Sequence, residues 1–142
     1  MPSLTDHPAI GKVLSIADDH VLFNPAGTNY ELKLLTTGRY AGAVGQRVEC
    51  FVRTTARKVY TVPSGGNFIS PIFGPPRTIQ GRILYIDDRN MVVRAGTAVI
   101  VELPLSEHAV DLAVGGLKVG AIANVAALPG ARFELLPVTS EK

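Results

Sequence analysis

Three histidines, one cysteine and two pairs of adjacent aspartates are the residues of this chain whose types could support metal or acid–base chemistry. His7, His20 and His108 stand far apart and never at the short spacing by which paired side chains hold zinc. Asp18-Asp19 and Asp87-Asp88 offer oxygen ligands suited to a hard cation. Aspartate is equally a turn residue, its carboxylate accepting from nearby backbone N–H groups. Each pair sits between two apolar runs, so the turn reading is preferred. Cys50 falls on the apolar parity of a strand pattern and reads as a buried thiol, not a nucleophile. Ser64-Gly65-Gly66-Asn67 is glycine-rich but lacks the Lys-Ser/Thr pair and the following helix of a phosphate loop. With no Ser/His/Asp or Cys/His arrangement either, the sequence predicts a non-enzymatic protein with no cofactor and no metal.

The basic residues are more informative. The formal net charge is only +2, yet the stretch from Lys33 to Arg82 holds eight basic residues against Glu49 alone. A basic face of this kind is the electrostatic footprint of nucleic-acid binding, where Lys and Arg neutralise phosphates. Lys12, Arg47, Phe51, Arg53, Arg57 and Lys58 are the expected contacts. Phe51 shares strand parity with Arg47 and Arg53, giving a basic-aromatic stripe on which a base could stack. The competing reading packs Phe51 against the connector and leaves the arginines solvated. Pairing of the basic half with an acidic surface of another subunit is a third possibility.

These residues must be carried by strands. In Tyr30-Glu31-Leu32-Lys33-Leu34, and again from Arg47 to Arg53, apolar and polar residues alternate with period two. The chain also repeats itself. Gly11-Lys12-Val13-Leu14-Ser15-Ile16 matches Gly81-Arg82-Ile83-Leu84-Tyr85-Ile86, and an acidic turn follows each. Ala26-Gly27-Thr28 then matches Ala95-Gly96-Thr97, and Tyr30–Leu34 matches 99–103. Gly45-Gln46-Arg47-Val48 is paired with Gly116-Leu117-Lys118-Val119, and 58–62 with 132–136, as fourth and fifth strands. Helix is expected only as a turn or two near Ser106–Leu112. The fold class predicted is all-β, two tandem five-stranded OB-like barrels from an internal duplication. Residues 1–62 form the first repeat, 63–80 a connector and 81–142 the second repeat.

The connector is rich in proline and glycine but carries Phe68, Ile69, Ile72 and Phe73, too apolar for a solvated linker. These four side chains are expected to dock, either over the chain's own barrels or as an arm at an oligomer interface; a recognition loop is the remaining option. Hydrophobic residues make up 46% of the 142 positions and charged residues 18%, below the roughly 25% usual in soluble domains, which points to a homo-oligomer. No run approaches the ~20 apolar residues of a membrane span. Met1 to Pro8 lacks the basic-then-apolar order of a secretion signal, and a lone cysteine suits a reducing compartment, so a cytoplasmic location is expected.

Two resemblances rest on these residues. From Gly11-Lys12-Val13-Leu14 through Asn29-Tyr30-Glu31-Leu32 to Val62 the chain resembles the N-terminal OB domain of the RuvA Holliday-junction protein. That resemblance implies DNA binding, although no helix-hairpin-helix region follows. The tandem layout is similar to the duplicated molybdate-binding (Mop) proteins, which implies oxyanion storage between subunits. Their Ser-Ala-Arg-Asn opening is replaced here by Asp6-His7-Pro8-Ala9-Ile10.

Overall fold

Alternating apolar residues, broken by Gly, Asn, Asp and Pro, make this chain a succession of short antiparallel strands. The computed structural model describes residues 4–103, 110–111 and 117–135. A short 3₁₀ turn, Leu4–Asp6, precedes β1 (Ala9–Ile16), β2 (His20–Pro25), β3 (Glu31–Leu35) and the long β4 (Arg47–Val62). Two connector strands follow, β5 (Phe68–Ser70) and β6 (Phe73–Gly74), then β7 (Thr78–Ile86), β8 (Asn90–Arg94) and β9 (Ala98–Glu102). The described part ends with β10 (Val110–Asp111), β11 (Ile122–Ala127) and β12 (Arg132–Leu135). Of the helix expected at Ser106–Leu112, only Val110 and Asp111 are described, and they form a two-residue strand parallel to β4. The rest of that segment lies outside the described residues.

The protein is all-β, with a closed five-stranded barrel and further strands built onto it. The barrel runs β1-β2-β3-β12-β4 and back to β1. All its neighbours are antiparallel except the β3–β12 pair. From β4 the same sheet continues through β11, β7, β8 and β9, and β9 returns to pair in parallel with the middle of β4. The sheet is therefore continuous, where the sequence predicts two tandem barrels. The connector does not part it, because β12 comes from the second span and is built into the first.

The cause lies in β4. The sequence reading places a fourth and a fifth strand within residues 47–62, but Arg53-Thr54-Thr55-Ala56-Arg57 between them contains no Gly, Pro, Asn or Asp. Its β-branched threonines favour extended backbone, so the chain runs straight through as one 16-residue strand. The C-terminal half of β4 thereby leaves the first barrel and pairs with β11. In the second span Leu128-Pro129-Gly130 does break the chain, with Gly130 at φ +101°, and frees β12 to take the place beside β3. Phe133 on β12 fills that barrel. Its ring lies 6.0 Å from Phe23 and 5.2 Å from Tyr40, the latter edge-to-face. One apolar cluster runs through the whole sheet, joining Val13, Phe23 and Leu34 to Val59, Ile83, Val101 and Val125.

The two spans share local detail. Lys12 pairs with Asn24 and Arg82 with Arg94, and a bulge follows at Val13/Ser15 and at Ile83/Tyr85. The third strands match two residues away from the sequence alignment, with parity kept: Leu34 opposes Val21 as Val101 opposes Met91. Gly116, matched to Gly45 in the sequence, lies outside the described residues, and the turn glycines that correspond at the fourth strands are Gly45 and Gly120. Both have positive φ, and their N–H groups donate to the carbonyls of Val13 and Ile83. Gly11 and Gly81 correspond as well. A methyl group at either would run into backbone, the Asn24 carbonyl for Gly11 and the Arg94 carbonyl for Gly81. Gly11→Ala and Gly81→Ala are each expected to lower the urea-unfolding free energy by about 1–3 kcal/mol, the range for overpacking. Lys12→Ala, on an exposed neighbour, should change it by less than about 0.5 kcal/mol. Two glycine variants as stable as wild type would contradict this packing.

Candidate anion-binding surface

The six residues expected to contact nucleic acid do not gather into one stripe. β1 sets Lys12 directly opposite Arg47 of β4 and, on its other side, opposite Asn24 of β2. Lys12 and Arg47 are exposed, and with Asn24, Gly27 and Gly45 they line a shallow cleft of about 310 Å³. Asn24 is fixed by donating to the carbonyls of Thr28 and Tyr30 at 3.0 and 2.8 Å. Arg47 has one carboxylate near it, Glu49 at 3.7 Å. This exposed pair leaves the guanidinium available, since surface ion pairs contribute only about 0–1 kcal/mol.

Arg57 and Lys58 lie ten and eleven residues further along β4, up to about 35 Å away were the strand straight. They are exposed because a bulge interrupts the β4–β11 pairing here: Lys58 opposes Ala126, Ala56 opposes Ala127, and Arg57 is left as the extra residue. Lys58 Nζ sits 5.5 Å from the centre of the Tyr60 ring, a cation–π contact. Arg57 lines a second cleft, of about 490 Å³, whose opposite wall carries Arg77. Arg77 was legible only as one more charge on a proline-rich connector; its place beside Arg57 comes from the pairing of β7 and β4 with β11 on either side.

Between these two ends the expected stripe is absent. Phe51 is 4% exposed and packs on the outer face of the sheet against Val92, Ala98 and Ile100, with Leu4, Leu84 and Tyr85 around it. The alternation correctly places Phe51 on that face, but the parallel approach of β9 covers it, so no base can stack there. Arg53 is half-buried and committed: Nε donates to Glu134 at 3.0 Å, and Nη1 lies 3.4 Å from Glu102. Arg132 donates to the same Glu102 oxygen at 2.8 Å, and the Thr55 hydroxyl donates to the other at 2.7 Å. This network ties β12, β4 and β9 together on the face opposite the core.

The other polar candidates have local roles. Asp87 accepts from the N–H groups of Arg89 and Asn90, both at 2.9 Å, and from the Tyr85 hydroxyl at 2.8 Å. These bonds hold its carboxyl below the usual range and make it the organiser of its turn. Asp19 is lowered by its bond to the His20 ring, 2.8 Å away. Cys50 is buried, and desolvation pushes its thiol up to about 12, so it is an inert core residue at neutral pH. Of the four connector residues expected at an interface, Ile69 is 2% exposed and belongs to the chain's own core, because β5 pairs with β7. Phe68 is half-buried, while Ile72 and Phe73 are exposed, with β6 pairing in parallel to β3. Among the described residues no helix is long and apolar enough to cross a membrane.

Comparison with known proteins adds no name. The chain matched no family model, no curated protein and no solved structure. Function is therefore argued from the surface alone.

The network around Glu102 makes a testable contribution to stability. Burial opposes ionisation of Glu102, but the Thr55 hydroxyl and the Arg132 and Arg53 guanidiniums outweigh it and hold the carboxyl below the usual glutamate range. A carboxylate with a lowered folded pKa adds stability above its unfolded pKa and loses it as pH falls through the folded value. Glu102→Gln should cost about 1–2 kcal/mol at pH 7, at the low end for charge-assisted bonds because the site is partly solvated. That gap should close as the pH falls through the lowered folded value. Urea unfolding of both proteins at pH 7 and pH 3 measures it, and a gap that does not change with pH would refute the assignment.

Proposed function

We propose that this protein is a non-enzymatic, cytoplasmic binding module that holds nucleic acid through backbone phosphates, without base stacking at Phe51. The observation that carries the reading is the placement of four exposed cations, Lys12, Arg47, Arg57 and Lys58, along one long strand and its neighbour. Among the described residues only Arg47 has a carboxylate near it. Their separation suits an extended polyanion better than a compact one. The scaffold is proposed to be a duplicated OB-like unit whose copies exchange fifth strands, β12 going to the first and the C-terminal half of β4 to the second. Support comes from the shared bulges, the Lys12/Arg82 registers and the Gly45/Gly120 turns. OB-like barrels are common nucleic-acid and oligosaccharide binders.

Four phosphate contacts to a single strand imply a slope of log K against log salt of about −2.8. A fluorescein-labelled 20-nucleotide strand, titrated between 20 and 200 mM NaCl, should show that slope by fluorescence anisotropy. Arg57→Gln with Lys58→Gln should flatten it by about 1.4. No binding at 20 mM, or a slope unchanged in the double variant, would remove the reading.

A second reading, as a homo-oligomer that assembles through the connector, is favoured by the exposure of Ile72 (44%) and Phe73 (64%). Both sit beside β3 rather than within the core. It predicts an oligomer by light scattering at micromolar concentration that Ile72→Ser with Phe73→Ser converts to a monomer with an unchanged far-ultraviolet spectrum. A monomeric wild type would exclude it.

A further inference from the structure

The cleft between Arg57 and Arg77 differs in character from the rest of the basic surface. Its floor is apolar: Pro76 is buried, Ala127 half-buried, and Leu128 and Pro129 present exposed apolar surface. Among the described residues no carboxylate lines it and neither arginine has an ion-pair partner. Both arginines are carried on fixed backbone. Arg57 is the extra residue of the β4 bulge, a device that re-aims a side chain. Arg77 is held through its N–H, which donates to the Ser70 carbonyl at 2.9 Å, and through its carbonyl, which accepts from Ala127 N–H at 2.8 Å. Ala127 in turn opposes Ala56, next to Arg57. Arg77 and Arg57 thus stand two strand spacings apart, about 10 Å between backbones, across which two arginine side chains can reach one anion.

We propose that this cleft binds a small organic phosphate, both guanidiniums on the phosphate and the apolar floor under its organic body. Guanidinium forks match phosphate oxygens in bidentate geometry, and two of them balance a dianion. The floor distinguishes the site from a simple charge patch: inorganic phosphate would gain the arginine contacts but leave Leu128 and Pro129 wet. A 490 Å³ space fits a ligand of ring size plus a phosphate. The site shares Arg57 with the proposed nucleic-acid surface, whereas Arg77 and the apolar floor belong to this cleft alone, so the Arg77 variants separate the two readings.

Isothermal titration of the full chain with phenyl phosphate and with inorganic phosphate tests it. Phenyl phosphate should bind at least fivefold tighter than inorganic phosphate. Arg77→Gln and Arg57→Gln should each weaken it tenfold or more, and Lys33→Gln, exposed on β3, should leave it unchanged. Circular dichroism of each variant checks folding, and Arg77→Lys should recover part of the loss where Arg77→Gln does not. Equal affinity for the two phosphates would overturn the apolar floor. Equal losses in the Arg77 and Lys33 variants, or no binding of phenyl phosphate at millimolar concentration, would overturn the site.

Discussion

Residues 53–57 contain nothing that lets a chain turn, and every backbone N–H and C=O along the 16 residues of β4 still needs a partner. The fold is the solution to that constraint. β1 and β12 serve the first part of the strand, β9 the middle, and β11 and β10 the last part. A β4 that stays extended cannot fold back to complete its own barrel, so β12 does so and brings Phe133 into contact with Phe23 and Tyr40. The Arg53–Glu102–Arg132–Glu134 network lies over the place where β12, β4 and β9 meet, adding directional bonds where strands distant in sequence come together.

The same constraint sorts the basic residues. Where β9 and β12 flank β4 closely, outward side chains are consumed: Phe51 by an apolar cluster, Arg53 by two carboxylates. Where flanking is interrupted, they stay free. At the start of β4 the neighbour is the Lys12 end of β1, and near its far end the bulge leaves Arg57 and Lys58 exposed. The sheet therefore divides a continuous run of sequence charge into two separated basic clefts joined by a neutralised middle. The proposal of binding by phosphate contact, without a stacking platform, rests on that division.

Much of this was legible in the residues. The match between the two spans located β1, β2, β3, β7, β8 and β9, and period-two alternation set the faces of residues 30–34 and 47–53; the shared bulges after Val13 and Ile83 were not foreseen. Strand parity put Cys50 and Val52 inward correctly. The exchange was not legible, because alternation says which face a residue takes and nothing about which strand lies beside it. For that reason Phe51, outward by parity, was assigned to solvent, and Ile69, on a proline-rich connector, to an interface. Arg77 was missed for the same cause: it joins Arg57 only through β11, some fifty residues further on. The likeness of Gly120 to Gly45 was not legible either, because a glycine's type is visible in sequence and the hydrogen bond its N–H makes is not.

Interstrand nuclear Overhauser contacts on the labelled full chain test the shared strand most directly. The account predicts backbone contacts from Arg132 and Phe133 to Arg53 and Val52, together with contacts from Val99 to the same Val52. Contacts joining Phe133 instead to β11 and β9, with none to β4, would mean that each span closes on itself, and the account would be wrong.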